Sequence, residues 1–147
     1  MDVSNPVGAF RPLSGACVFN LVKSSSYKIL KVSDGVVLFA KVGIVPSPSP
    51  AGMEISIAPT AFEDPRGFER YPDWVAAAER GVRYALAHSI PPQTEGMRLL
   101  VTSILGTEVD TTADAVAAAA CLATWDALEA VGTHPPRFEG RKIIFEY

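Results

Sequence analysis

Three observations in the sequence predict an α+β fold. Two stretches rich in β-branched and aromatic residues, 27–30 and 36–45, flank an Asp-Gly pair at 34–35. Two later stretches repeat apolar residues at helical spacing, and a largely apolar run at 97–106 separates them. The resulting order of three strands, helix, strand, helix and strand describes a mixed sheet of four or more strands with two main helices on one face. A chain of 147 residues that is 48% hydrophobic suffices for one such core, so residues 1–147 are expected to form a single domain.

Taken in order, residues 1–24 mix Pro, Gly and Ser with one apolar run, "ACVFNLV", which suits a short extra strand or an N-terminal extension. Strands at 27–30 and 36–45 follow, joined by a tight turn at Asp34 and Gly35. The segment "PSPSPAG" at 46–52 is read as a loop, because its prolines lack the donors a ladder needs. Alternation resumes in "MEISIAP", where Met53, Ile55 and Ile57 share one face of a third strand. After a turn-rich connection, Trp74, Ala77, Ala78, Gly81, Val82, Ala85 and Leu86 define the apolar face of a helix over 72–88 that ends before Pro91.

The run "MRLLVTSILG" at 97–106 is a strand covered by other elements, and "GTEVDTTADAVAAAACLATWDALEA" at 106–130 leads from it into a second helix. There Thr111 or Thr112 can cap exposed amides, and Asp114 adds negative charge to the first turn. Ala117, Cys121, Thr124 and Leu128 fall on one face, and the Thr124 hydroxyl can bond back to a carbonyl one turn earlier. Ile143, Ile144 and Phe145 suit a last strand.

The net charge is −3 and the lysines and arginines are scattered along the sequence, so no positive stripe for unaided nucleic-acid binding is evident. Cys17 and Cys121 stand far apart in apolar surroundings and read as buried thiols. No run reaches the roughly 18 apolar residues of a membrane span, and the N-terminus lacks the pattern of a signal peptide. A cytoplasmic location is the expectation.

Chemical motifs are sparse. His88 and His134 belong to no metal-ligand spacing. Glu108 and Asp110 flank Val109 in a short turn with no sequence motif supplying a histidine or cysteine for them to orient. Glu63 and Asp64 read as solvated charges, and Glu79 with Arg83 as an ordinary pair one turn apart. The serines of "KSSSYK" lack a nucleophile elbow, and no phosphate-binding glycine loop occurs. No catalytic residue, metal ligand or cofactor is assigned.

Two segments together resemble the fourth domain of bacterial translation elongation factor G. The helix "WVAAAERGVRYAL" supplies Trp74, Val75, Glu79, Gly81, Val82 and Ala85, with Ala77 or Ala78, where that family has an aromatic, a branched residue, Ala, Glu, Gly, a branched residue and Ala. Gly106, Thr107, Glu108, Val109, Asp110, Thr111 and Thr112, followed by an alanine-rich helix, stand where the family shows a Gly-rich turn, His, an acid, Val, Asp, two serines and a similar helix. The likeness covers residues 24–147 and implies a fold like the second domain of ribosomal protein S5, with a left-handed β-α-β crossover.

Departures fall at the two extremities. Gly35, Val36, Val37 and Leu38 replace a polar glycine-rich tip loop, and Thr107 replaces a tip histidine. What the resemblance implies is a stand-alone, non-enzymatic module that contacts the ribosome or a protein partner through loop tips at 34–38 and 105–109. Its candidate interface residues are Asp34, Gly35, Val36, Leu38, Gly106, Thr107 and Glu108. The expected partners are an unidentified protein or a second copy of the chain, with the ribosome as a further candidate, and neither DNA nor a membrane. One alternative is a homo-oligomeric interaction domain that buries an uncovered sheet face. Another is a small-molecule enzyme with a pocket ringed by His88, Asp110 or Glu108.

Overall fold

The structure, a computed structural model, describes residues 24–33, 35–50, 52–90, 96–140 and 142–146. In chain order its elements are β1 (Ser25–Ser33), β2 (Val36–Pro48), β3 (Glu54–Ile57), α1 (Gly67–Arg70), α2 (Pro72–Ala87), β4 (Ser89–Ile90), β5 (Met97–Leu105), α3 (Ala113–Leu128), β6 (Val131–Gly132), β7 (Arg137–Glu139) and β8 (Lys142–Ile144). The α+β reading holds.

β1 and β2 form the expected hairpin, with Ser33 opposite Val36 and a left-handed Gly35 at φ 76° in the turn, a conformation glycine adopts without steric cost. Asp34 lies outside the described residues. β5 runs antiparallel to β2, and β3 runs parallel to β5, so the four-stranded mixed sheet has the order β1-β2-β5-β3. The parallel pair obliges the chain to cross the sheet between β3 and β5, and α2 makes that crossing.

The prolines correct one expectation. Pro46 and Pro48 continue β2, opposite Leu99 and Met97, instead of ending it. Among the described residues β1 reaches only to the Ser25–Ile44 pair, so this end of β2 has no described neighbour on that flank, where a missing N–H costs no ladder bond. The connection after β3 also contains a short helix, α1, that no apolar periodicity announces.

α2 and α3 lie on one face of the sheet and against each other. α2 buries Trp74, Ala77, Ala78, Gly81, Val82 and Ala85 as expected, and Tyr84 as well, while Leu86 is half-buried. α3 differs from its predicted stripe: every residue from Ala115 to Cys121 is fully buried, because the helix has the sheet on one side and α2 on another. Small side chains make this close packing possible. A Cβ on Gly81 would lie 2.1 Å from the Ala117 carbonyl oxygen, so only glycine fits where α2 crosses α3. Thr124 donates to the Ala120 carbonyl at 2.7 Å, as its position predicts, and Trp125 Nε1 donates to the Ala85 carbonyl at 2.9 Å, pinning the two helices. The last strand, β8, pairs with β7 in a separate two-stranded ribbon and, among the described residues, does not join the main sheet.

Candidate interaction site

The sheet's pairing register brings the two predicted extremities to the same end of the molecule. β5 stops at Leu105, opposite Lys41, which leaves the next outward-facing backbone groups of β2, those of Phe39, without a strand partner. The loop at 106–111 takes them over. Phe39 N–H donates to the Asp110 carbonyl at 2.9 Å, and the Thr111 hydroxyl donates to the Phe39 carbonyl at 2.6 Å. The same hydroxyl accepts from Thr107 N–H at 2.8 Å, while the Thr107 hydroxyl accepts from Asp110 N–H at 3.0 Å. Thr112 caps α3, its hydroxyl accepting from Ala115 N–H at 3.0 Å. Of the two threonines expected to compete for that cap, one caps and the other anchors.

A tethered loop projects its middle into solvent. Thr107, Glu108 and Val109 are exposed, with Val109 at 77%, and at the same end of the sheet Gly35 is exposed and Val36 is at 38%, a few positions before Phe39. Gly106 is half-buried. Leu38 does not belong to this surface: it is 1% exposed, because its place in β2 turns it toward the helices with Ala40 and Val42. A large apolar residue on the helix-facing side of a central strand is core, whatever the turn beside it does.

Residues that the sequence did not single out hold the loop from below. Arg70 Nη2 lies 2.8 Å from Glu108 Oε2, and the Tyr71 hydroxyl donates to the same oxygen at 3.0 Å. Tyr71 stacks on Trp74 with ring centroids 4.0 Å apart, and Phe62 meets Phe68 edge to face at 5.0 Å. Loss of solvent around the ring, and then the bond to Glu108, raise the Tyr71 phenol above its ordinary pKa. A cleft of about 190 Å³ opens here between α1 and the end of β5, lined by Phe62, Arg70, Tyr71 and Trp74 among others. The only hint in sequence was the aromatic density of "GFERYPDW".

The titratable residues weighed for catalysis do not converge. His88 sits at the C-terminal end of α2, a helix about 24 Å long whose N-terminal end meets Glu108. There its ring meets that of His134 at 4.8 Å, brought close by the β4–β6 pairing, and the Thr133 hydroxyl lies 2.9 Å from His134 Nδ1. Asp64 is held below the usual carboxylate range by its bonds to Arg66. Burial pushes the Cys121 thiol up to about 12, and Cys17 lies outside the described residues. Among the described residues no three His, Cys, Asp or Glu side chains gather as a metal site, and no helix is long and apolar enough to cross a membrane.

No family model matches the chain, and no curated protein matches it. Among solved structures, the chain is similar to a protein from Thermus thermophilus, with a TM-score of 0.54 and 22% identity over 70% of this chain. The chain spans about 15% of that protein's length, so the likeness is to one portion of a much longer polypeptide. At this identity it is a likeness of fold.

Proposed function

We propose that the chain is a non-enzymatic module of the elongation factor G domain IV type, with the ribosomal protein S5 domain 2-like fold and its left-handed crossover. The strand order β1-β2-β5-β3, with α2 linking the parallel pair and α3 following β5, supports that reading. The module acts by contact, through the end of the sheet that carries Gly35 and Val36 and the loop of Thr107, Glu108 and Val109.

The observation that carries this is the anchored loop. Residues 106–111 are fixed at both shoulders, through Phe39 and through Arg70 and Tyr71, while the centre exposes an isopropyl group. A side chain 77% exposed adds little apolar burial to the core, and a tethered loop lowers the ordering cost of binding a partner. Val36 and Val109 suit an apolar protein surface better than a phosphate backbone, so the favoured partner is a protein, a ribosomal protein included. Replacing both by aspartate is expected to abolish partner capture with no loss of thermal stability. Retained capture by the double variant would remove the tip from the account.

A second reading, self-association, is favoured by one observation: Leu30 and Val32 on β1, the outermost strand of the described sheet, are 55% and 69% exposed. Light scattering across a concentration series separates the two, because a dimer that survives at micromolar concentration supports the second.

A further inference from the structure

We propose that the sheet face opposite the helices carries a phosphate-recognition site centred on Lys28, Lys41 and the notch at Gly43. The lysines are 13 positions apart in sequence and look scattered, but the hairpin register sets them directly opposite each other. Ile29, Ala40 and Val42 are buried toward the helices, so alternation turns Lys28 and Lys41 to the other face. Like charges directly opposite on one face destabilise a strand pair. Among the described residues neither lysine has a carboxylate partner, in a chain whose net charge is −3.

One rank further along, Ser26 pairs with Gly43 and Gly43 with Ser103. The register slips there, so β5 places both Thr102 and Ser103 at this rank. A Cβ on Gly43 would lie 2.7 Å from Thr102 Oγ1 and 2.7 Å from Ser103 Oγ, so both hydroxyls turn toward the space a side chain would fill. The result is an open notch of about 280 Å³ lined by Ser26, Lys41, Thr102 and Ser103, with the buried Gly43 at its floor.

Rotatable hydroxyl donors beside two ammonium groups, with no guanidinium, suit a compact anion with several equivalent oxygens. A phosphate meets that description, and binding it relieves the repulsion between the two lysines. On the far side of the lysines the Leu30–Phe39 and Val32–Val37 ranks give an apolar strip that fits the organic part of a phosphorylated ligand. The phosphate belongs either to a free polyphosphate or to a nucleic-acid backbone, and the two sources share this chemistry.

The test uses pyrophosphate titrated by calorimetry and a fluorescein-labelled oligouridylate followed by anisotropy, with the wild type and three variants. Lys28→Ala with Lys41→Ala removes the charges, Gly43→Ala fills the notch without changing charge, and Lys142→Ala is an exposed-lysine control. Melting in phosphate and in chloride at equal ionic strength checks that each variant folds and reads binding independently. Saturable binding of either probe, weakened at least tenfold by the double lysine variant and by Gly43→Ala but not by Lys142→Ala, is the expected result. Pyrophosphate binding alone assigns a free polyphosphate, and oligouridylate binding alone assigns a nucleic-acid backbone. Two lost contacts on a single strand lower the salt slope of log affinity by about 1.4. No saturable binding of either probe, or binding that all three variants retain, overturns the proposal.

Discussion

Gly81 shows how a single residue sets the distance between two helices. Helix propensity favours alanine over glycine by about 1 kcal/mol. Here the added methyl would lie 2.1 Å from a backbone oxygen of α3, which cannot swing aside. Overpacking costs about 1–3 kcal/mol, so the contact outweighs the propensity gain and Gly81→Ala is expected to lower the denaturation midpoint. A raised midpoint in chemical denaturation would contradict the packing described here. Cys121 gives a second prediction. Its thiol ionises near 9.0 when unfolded and at about 12 when folded, so above pH 9 the unfolded chain loses the proton first. Its contribution to stability is therefore intact below pH 9 and lost as pH rises from 9 toward 12. In a Cys17→Ser background, Cys121 should resist thiol reagents at about pH 8, below its unfolded pKa, until the protein is denatured. The same background compared with added Cys121→Ala should show the steeper fall in urea midpoint above pH 9. At this scale the sequence was legible wherever the role was local: the Thr112 cap, the Thr124 back-bond and the Asp-Gly turn need only near neighbours. Gly81 facing Ala117, Lys28 facing Lys41 and Tyr71 bonded to Glu108 were hidden because each depends on register or crossing geometry.

Between elements, the join from β5 to α3 separates two chemically similar threonines. Thr112→Ala removes one cap bond and is expected to cost about 1 kcal/mol. Thr111→Val removes both a donor bond to Phe39 and an acceptor bond from Thr107 at an 8% exposed site, which costs about 1–3 kcal/mol. The informative difference is local. Thr111→Val should speed amide exchange at Thr107 and Phe39, whereas Thr112→Ala should loosen only the first turn of α3. Equal protection changes in the two variants would mean that the loop is held by something other than this anchor. Element existence was readable from periodicity for β3, α2 and α3, and from β-branched or apolar composition for β1, β2 and β5. Three details were not. Among the described residues the prolines of β2 lie beyond the last pair with β1, α3 is buried all round because it lies between the sheet and α2, and β8 pairs with β7 and not with the main sheet. Each depends on which elements become neighbours, and no local pattern encodes that.

Across the whole molecule, the hairpin turn and the loop at 106–111 share one end of the sheet while the paired histidines lie at the far end of α2. Of the interface residues expected from sequence, Gly35, Val36, Thr107 and Glu108 are exposed there and Gly106 is half-buried. Leu38 belongs to the core, and Asp34 lies outside the described residues. The exposed Val109, which sequence reading passed over as the spacer between two acids, is the most prominent side chain of the set. The central claim is that this end makes the functional contact. Its most direct test is photo-crosslinking in native extract from a reactive residue placed at position 109, with another exposed position, 131 in β6, as the reference. The account predicts a discrete protein adduct from position 109 that Val36→Asp abolishes, and none from position 131. Adducts of equal yield and identity from both positions, or none from position 109, would contradict it.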